Sequence, residues 1–247
     1  MTFKTQGIIL RHQDWQDNHR LYTLLTRDRG KISAIARGVK KIKSKQNSKL
    51  KQFSVIEVMI ANGRRLDTLA TAETVADFPK VMDNLLVLGL ASFCTELVDN
   101  LTREGEPDLK IYQLLKDVLN IFNEQGDQAP DKLKLVSWLF GLRLLDYLGY
   151  RVDWEKCVHC HKNLEEPLNI VSAHGGLACA KHQDEDAVGI SRDGWRFLRA
   201  STGQALHQCL DTPTTPDFSR EIISYIRPLV FSHLNRELKS ERFLAGL

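Results

Sequence analysis

The chain has 247 residues, of which 43% are hydrophobic and 26% are charged. These values exclude a disordered or low-complexity chain and provide enough apolar residues for one large domain or two smaller ones. The start of the sequence turns polar too early for an export signal. The longest nearly apolar run, from Leu85 to Cys94, is about half of the ~20 residues that a membrane-spanning helix needs. We therefore expect a soluble cytoplasmic protein that does not enter a membrane.

The net charge of +3 is unevenly distributed along the chain. Residues 1–80 carry a net charge of +9, whereas the remaining residues carry −6. A basic first third joined to a mildly acidic body favours a polyanionic partner for the N-terminal region. A solvated, lysine-rich surface is the alternative explanation of such a bias.

The first 75 residues are predicted to form β-structure. Five short apolar-rich segments occupy residues 3–11, 20–27, 31–38, 53–61 and 65–71. Ile32, Ala34 and Ala36 share one face with the period of two that a strand shows. Turn sequences at Asp28-Arg29-Gly30 and Asn62-Gly63 separate neighbouring segments. Five short strands with one long polar loop predict a small barrel or sandwich, and an OB-type barrel is a known example.

The apolar period changes to that of helices after Pro79. Helices are predicted over residues 81–103, 107–124, 131–148, 191–209 and 216–238. Thr215 and Pro216 supply a hydroxyl N-cap and a proline at the first helical position. Residues 151–189, which carry most of the cysteines, form a loop-rich insert in this region. The expected fold class is a multi-domain α+β chain, with a β domain over 1–79 and an α-helical domain over 80–247.

A strongly basic stretch, residues 37–51, lies between the third and fourth predicted strands and is called the basic segment below. It contains no acidic residue, so we expect its charges to be solvated or paired with something outside the chain. Phosphates are the natural partners, because each neutralised phosphate releases a condensed counterion. The pattern has no base-reading chemistry, which predicts backbone binding with little sequence preference. The alternative is a mobile solubilising loop. Together with nearby arginines, the predicted nucleic-acid-binding residues are Arg20, Arg27, Arg29, Arg37, Lys40, Lys41, Lys43, Lys45, Lys49, Lys51, Arg64 and Arg65.

The spacing of a structural zinc site is shown by Cys157, Cys160, Cys179 and His182. Two pairs with two intervening residues each are joined by a loop of 18 residues. Four protein ligands would close the tetrahedron and leave no position for an activated water, so we expect one structural Zn²⁺. The fourth ligand stays open, since three further histidines lie nearby: His159, His161 and His174. An odd total of five cysteines argues against a disulfide framework.

Signatures of catalysis are absent from the sequence. It contains no GxxxxGK, GxGxxG, GxSxG or HExxH motif, which favours a binding protein over an enzyme. Three alternatives stay open at this point. They are a zinc-ribbon transcription or RNA-binding factor, a thiol oxidoreductase using Cys157 and Cys160, and a scaffold whose basic segment binds an acidic protein tail.

Three stretches of the sequence together resemble the RecO family of recombination mediators. They are Gly7-Ile8-Ile9-Leu10-Arg11 followed by 19–31, Ala36-Arg37-Gly38 leading into the basic segment and Phe53, and 144–150 leading into Cys157-x2-Cys160. Their order and spacing cover most of the chain. The resemblance implies an N-terminal OB domain, a helical domain and a zinc-ribbon-like insert.

The resemblance also implies a function in DNA repair without an enzymatic activity. RecO proteins bind single- and double-stranded DNA, anneal complementary strands, and act with RecR to load recombinase onto DNA coated by single-strand-binding protein (SSB). RecF is a further implied partner, and the bacterial cytoplasm at the nucleoid is the implied location. In some members the helical domain binds the acidic C-terminal tail of SSB, and Arg143 is the candidate residue for that contact here.

Two positions depart from the pattern of the family. Relatives with cysteines commonly use four of them, whereas the fourth position here is His182. A glutamate often follows the phenylalanine of the third helix, but here Phe140 is followed by Gly141. The first departure concerns the ligand set of the metal, and the second concerns the SSB-tail pocket.

Overall fold

The chain forms two units. The computed structural model describes residues 1–41, 46–126, 128–164, 168–171, 175–182, 188–234 and 236–246, with the backbone alone for 168–171. The first unit comprises Met1–Gly126 with Ser240–Leu247, and the second comprises Asp127–Lys239. The predicted domain limits, 1–79 and 80–247 with an insert at 151–189, stay predictions.

Five strands of the first unit form a closed barrel. They are β1 (Thr2–Trp15), β2 (His19–Thr26), β3 (Gly30–Ala36), β4 (Val55–Ala61) and β5 (Asp67–Ala76). The strand order around the barrel is β1-β2-β3-β5-β4. β1 pairs with both β2 and β4, and its register with β2 shifts between Ile9 and Arg11. β3 and β5 run parallel and meet at Ala34–Asp67 and Ile35–Thr68. This arrangement confirms the predicted OB-type barrel.

Alternating side chains of the strands fill the barrel interior. Ala34 and Ala36 are fully buried there, and Ile32 packs against the same core, as the period of two predicted. Ala34 lies opposite Tyr22 in the register of β2 and β3, so a small side chain accompanies a fully buried aromatic ring. Gly30 begins β3 with a φ of 66°, and a Cβ there would lie 2.4 Å from the backbone of Glu106. Both the conformation and the space therefore require glycine at this turn.

Three helices follow the barrel in the first unit. They are α1 (Pro79–Asp83), α2 (Leu85–Leu101) and α3 (Leu109–Gln125). The single helix predicted from residue 81 to 103 is wrong, because Asn84 adopts an extended conformation and caps α2 by accepting from the Val87 N–H. The helix predicted over 107–124 is confirmed as α3, which Asp108 caps through the N–H groups of Lys110 and Ile111.

A buried lysine joins the barrel to α2. The Lys31 ammonium donates to the carbonyls of Asp99 and Thr102 over 2.5 and 2.8 Å, and it lies 3.4 Å from the Asp99 carboxylate. These carbonyls belong to the last turn and C-cap of α2, which leave acceptors without an intrahelical donor. A cation at this position also interacts favourably with the helix dipole. Lys31 thus holds the end of α2 against β3.

The second unit contains helices and a small sheet. The elements are α4 (Pro130–Tyr147), β6 (Leu168–Val171), β7 (Gly176–Cys179), β8 (Val188–Ile190), α5 (Arg192–Ser201), α6 (Leu206–Asp211) and α7 (Pro216–Phe231). β6 pairs antiparallel with β7 on one side and β8 on the other. α7 packs on α4, where Trp138 meets Phe231 edge to face at 5.6 Å. The final helix, α8 (Lys239–Leu244), lies largely in the first unit, where Glu96 accepts two hydrogen bonds from Ser240.

Two helix predictions in the second unit are wrong in extent. The helix expected over 191–209 is divided into α5 and α6, because the chain turns where the Gln204 N–H donates to the Ser201 carbonyl. The helix expected over 216–238 ends at Phe231, where the His233 N–H donates to Val230 in a tighter turn. Within the described residues, no helix is both long and apolar enough to cross a membrane.

Candidate nucleic-acid interface and metal centre

The β1–β2 hairpin and the start of the basic segment meet at one end of the barrel. The Gly38 N–H donates to His19 Nδ1 over 2.9 Å, and the Lys40 N–H donates to the Asn18 carbonyl over 3.3 Å. Gly38 has a φ of 68°, which turns the chain out of β3 towards the hairpin. These two bonds fix the position of the first residues of the basic segment.

Asp14 is the centre of an ionic cluster at this end of the barrel. Its carboxylate lies 2.8 Å from Lys40 Nζ and 3.1 Å from Arg20 Nε. Arg20 also donates to the side-chain oxygen of Asn47 over 3.3 Å. Hydrogen bonds from Lys40, and then from Arg20, hold the pKa of Asp14 below its usual range. Two predicted nucleic-acid-binding cations therefore share one carboxylate of the same chain.

Neutral side chains lie beneath this cluster. His12 and Tyr22 are partners in the register of β1 and β2, and their ring centroids are 5.5 Å apart. Burial raises the pKa of Tyr22 and lowers the pKa of His12. Both side chains are therefore uncharged near neutral pH, so neither adds to the charge of the cluster that Arg20, Lys40 and Asp14 form.

The second half of the basic segment lies alongside strand β5. Gln46 Nε2 donates to the Ala70 carbonyl over 2.9 Å, and the Thr74 hydroxyl donates to the Lys49 carbonyl over 3.4 Å. Neither of these bonds involves a charged group. They anchor the segment along the strand independently of its lysine side chains.

Two lysines of this half form ion pairs with the barrel. Lys49 Nζ lies 2.6 Å from the Glu73 carboxylate, and Lys51 Nζ lies 2.7 Å from that of Asp77. Burial opposes the ionisation of Asp77, but the charge and hydrogen bond of Lys51, together with hydrogen bonds from the Phe78 N–H and the Ser54 hydroxyl, lower the pKa of Asp77. The expectation that the charges of the basic segment are solvated or paired outside the chain is therefore wrong for Lys40, Lys49 and Lys51.

The remaining predicted cations are distributed over several places. Arg37 and Lys41 are exposed beside the ionic cluster and have no acidic partner in the part of the chain that the structure describes. Two arginines lie in the β2–β3 turn, at the opposite end of β2 from Arg20, and two lie exposed in the β4–β5 connection: Arg27, Arg29, Arg64 and Arg65. Lys43 and Lys45 lie outside the described residues. The structure thus brings together only part of the predicted set.

The four residues of the zinc pattern converge in the second unit: Cys157, Cys160, Cys179 and His182. Their ligand atoms all lie within 4.8 Å of one another. His182 Nδ1 is 3.3 Å from Cys179 Sγ and 3.8 Å from Cys157 Sγ. Donors at the corners of a zinc tetrahedron are separated by about 3.5–3.8 Å, given Zn–S and Zn–N bonds of about 2.3 and 2.0–2.1 Å. The cluster can therefore hold a metal ion.

Local hydrogen bonds prepare this cluster for a cation. The His161 N–H donates to the Cys157 carbonyl and the His182 N–H to the Cys179 carbonyl, so each pair lies on a tight turn. Burial of Cys157 works against its ionisation, but backbone N–H groups of Cys160, Cys179 and His159 lower the pKa of its thiol to about 5. A thiolate at neutral pH is the form that binds metal.

The histidine of the cluster is His182. Among the described histidines it is the one whose nitrogen joins the three sulfurs. The ring of His159 lies 5.5 Å from that of His182, centroid to centroid, and His161 is not part of the group. His174 lies outside the described residues.

Arg143 lines a pocket of the second unit. Its Nη2 donates to the Ser201 carbonyl over 2.5 Å. Arg151, which lies 3.8 Å from the Asp146 carboxylate, is a second cation at the same pocket. The pocket is lined by Leu139, Leu142, Arg143, Asp146, Arg151, Val152, Trp154, Ser201 and Thr202. It combines apolar walls with two guanidinium groups.

Two family models together match almost the whole chain. The model described as "Recombination protein O N terminal" matches residues 1–78, and the model described as "Recombination protein O C terminal" matches residues 82–242. The first match contains the five-stranded barrel, and the second contains the helical region with its Cys3His cluster. Together they define a protein of DNA repair and recombination that is not an enzyme.

Relatives of similar length support the same conclusion. DNA repair protein RecO of Pelotomaculum thermopropionicum is 32% identical over 244 residues, which are 98% of this chain and 93% of the relative. That of Symbiobacterium thermophilum is 27% identical over 99% of this chain and 97% of its own length. The chain belongs to the RecO family of recombination mediators. This assignment favours recombination over the transcription, RNA-binding and thiol oxidoreductase alternatives.

Sequence reasoning missed the carboxylates that accompany the cations. The contact between Asp14 and Arg20 could have been found, because residues that flank a short hairpin loop face each other across the two strands. No comparable feature of the sequence indicated that Glu73 and Asp77 pair with lysines of the basic segment. Their lysine partners are 24 and 26 residues away, across a loop and a strand.

Proposed function

We propose that this chain binds single- and double-stranded DNA at the end of the barrel and anneals complementary strands. With RecR it promotes the loading of recombinase onto single-stranded DNA coated by SSB. The observation that carries this proposal is the collection of cations where the β1–β2 hairpin meets the basic segment. The relatives' name, DNA repair protein RecO, supports DNA as the partner.

The mechanism of annealing is electrostatic. Two complementary strands repel each other through their phosphates, and a basic surface that holds both lowers this repulsion and raises their local concentration. Contacts with phosphates carry little sequence information, so any complementary pair of strands is a substrate. Trp15, which is 36% exposed at the end of β1, is available to stack on a base.

The cations contribute to different degrees. Arg37 and Lys41 make the first phosphate contacts, because both are exposed without an acidic partner among the described residues. Arg20, Lys40, Lys49 and Lys51 already have carboxylate partners on the surface of the first unit. The other predicted residues extend the positive field: Arg27, Arg29, Lys43, Lys45, Arg64 and Arg65.

The Cys3His cluster holds one structural Zn²⁺ in this proposal. Cys157, Cys160, Cys179 and His182 would supply all four ligands, and the bound ion would link the two turns of the insert. Closed sites of this kind contribute about 10–16 kcal/mol of apparent binding free energy near neutral pH. The role of the ion is therefore in folding of the insert.

The pocket at Arg143 is the proposed site for the acidic C-terminal tail of SSB. Arg143 and Arg151 offer guanidinium groups to tail carboxylates, and Leu139, Leu142 and Trp154 offer apolar surface to a hydrophobic side chain. The Asp146 carboxylate limits the positive charge available from Arg151. RecR and RecF are further proposed partners, and the bacterial nucleoid is the proposed location.

The decisive experiment is annealing of two complementary oligonucleotides by an Arg37→Glu/Lys41→Glu variant. Each lost phosphate contact reduces the slope of log affinity against log salt by about 0.7 for single strands, so the double change should reduce it by about 1.4. We expect annealing to slow at least tenfold at low salt. The assay measures the loss of donor fluorescence of labelled strands, with and without an SSB coat, over a salt series.

A matched control reverses two charges elsewhere on the first unit. Lys4 and Arg103 have side chains 62% and 84% exposed, and neither belongs to the proposed surface. The Lys4→Glu/Arg103→Glu variant should anneal within about threefold of the unmodified protein, because long-range repulsion is screened at physiological salt. Equal slowing in both variants, or none in either, would remove the barrel end as the annealing surface.

A further inference from the structure

Three lysines of the basic segment are held by carboxylates of the barrel. Lys40 lies 2.8 Å from Asp14, Lys49 lies 2.6 Å from Glu73, and Lys51 lies 2.7 Å from Asp77. Asp14 belongs to β1, Glu73 belongs to β5, and Asp77 directly follows β5. The carboxylates therefore come from two parts of the barrel and meet three lysines of one segment.

These contacts are accessible from solvent. The side chains of Asp14 and Glu73 are 59% and 69% exposed, and that of Lys51 is 55% exposed. Exposed ion pairs contribute little to stability, because water screens the attraction and two long side chains lose freedom. An incoming anion can therefore replace such a carboxylate without unfolding the barrel.

The described residues of the segment are also held by bonds that do not involve the three pairs. Uncharged hydrogen bonds anchor it at both halves, from the Gly38 N–H to His19 and from Gln46 to the Ala70 carbonyl. The lysine side chains can exchange partners while the backbone stays in place. A carboxylate and a phosphate both offer negatively charged oxygens to an ammonium group, so the exchange keeps every lysine paired.

We propose that Asp14, Glu73 and Asp77 occupy the positions of nucleic-acid phosphates and are displaced when a strand binds. This inference rests on the proposed DNA-binding function and adds a regulatory element to it. The three carboxylates lower the affinity for any single phosphate group, because each must be displaced first. A continuous strand displaces all three at once, so the surface favours a polyanion over mononucleotides and free phosphate. The carboxylates also return to the lysines as the strand leaves, which speeds release.

The test neutralises the carboxylates and measures DNA affinity. The variants are Asp14→Asn, Glu73→Gln, Asp77→Asn and the triple combination, and the probe is a fluorescein-labelled oligo(dT) followed by anisotropy at low and at physiological salt. We expect each single change to tighten binding by about 1.5- to 5-fold, the range that corresponds to the loss of one exposed ion pair. The triple variant should bind at least about threefold more tightly, because the three gains combine. In stopped-flow displacement by unlabelled strand, its dissociation should be slower than that of the unmodified protein.

Two controls separate displacement from other effects. Glu57→Gln removes one negative charge from β4, where Glu57 pairs with Lys4 outside the basic segment. Gln46→Ala removes an uncharged anchor of the segment and tests whether loosening alone tightens binding. Both variants should bind DNA within about 1.5-fold of the unmodified protein.

The outcomes distinguish this inference from the proposed function. If the unmodified protein fails to bind oligo(dT), the DNA-binding proposal itself is overturned. If it binds with the expected salt dependence but the three carboxylate variants match Glu57→Gln, displacement is overturned and DNA binding stands. If Gln46→Ala tightens binding as much as Glu73→Gln, mobility of the segment replaces exchange of partners as the cause.

Discussion

The buried contact of Lys31 makes a specific prediction about stability. The Lys31 side chain is 10% exposed, and its ammonium meets the Asp99 carboxylate together with two carbonyls at the end of α2. Lys31→Met keeps a long, unbranched side chain but removes the charge and all three donors. Because the carbonyls of Asp99 and Thr102 then lose their partner, the end of α2 should separate from β3.

The expected loss of unfolding free energy in Lys31→Met depends on which groups still neutralise Asp99. Breaking a buried ion pair typically costs about 3–5 kcal/mol, because an uncompensated charge remains inside. Arg11 lies 2.7 Å from Asp99 and continues to neutralise it in the variant. We therefore expect the free energy of unfolding of the first unit to fall by about 3 kcal/mol, the lower end of that range. With a slope of about 2 kcal/mol per M, the midpoint in urea should fall by about 1.5 M.

The assay must report the two units separately. Native-state hydrogen exchange in increasing urea, read for peptides of β1–β5 and of α4–α7, provides this separation. The control is Lys4→Met, since Lys4 and its partner Glu57 have side chains 62% and 44% exposed and their pair should contribute at most about 1 kcal/mol. Equal losses in the two variants, or a Lys31→Met loss below 1 kcal/mol, would refute the structural role assigned to Lys31.

Three further predictions concern other parts of the molecule. Burial raises the pKa of Tyr112 to about 12, so the folded state keeps a phenol proton that the unfolded chain loses near pH 10. Stability should therefore fall by up to about 2–3 kcal/mol as the pH rises from 10 to 12, and urea unfolding of Tyr112→Phe should show a smaller alkaline loss. Asp108→Ala removes the N-cap of α3 and should lower the free energy of unfolding by about 1 kcal/mol. Hydrogen exchange of the amides in the first turn of α3 should become faster, and an unchanged exchange rate would contradict the capping role. Chelation under reducing conditions should release one equivalent of zinc and increase hydrogen exchange in β7, while exchange in the barrel stays unchanged. Cys179→Ser should abolish zinc binding, as measured by metal analysis.

Local patterns made most of the fold predictable from the sequence. The barrel followed from alternation within short strands and from glycine-containing turns, which are both properties of neighbouring residues. The helix over 107–124 was found because its apolar stripe is regular and Gly126 follows its end. The break at Asn84 was missed, since a capping side chain within a long apolar run does not change the helical period.

Sites were predictable to the extent that their residues are close in sequence. The Cys3His cluster was found because two short pairs bring their own ligands to adjacent corners. The carboxylate partners of the basic segment could not be predicted, because the contact of Lys49 with Glu73 depends on the pairing of β5 with β4. In the sequence, Lys31 looks like any other lysine on a strand. Its burial could not be predicted, because it results from contact with the end of α2, which is distant in the sequence.

The short contact between β3 and β5 has a consequence for self-association. These strands pair through Ala34–Asp67 and Ile35–Thr68, so β5 beyond Thr68 would present backbone groups to another chain if nothing covered them. The basic segment covers this edge by bonding to the Ala70 carbonyl and by placing lysines beside the strand. Shortening the segment would therefore expose a template for edge-to-edge aggregation as well as removing charge. Substitutions that keep the length of the segment preserve this cover of the edge.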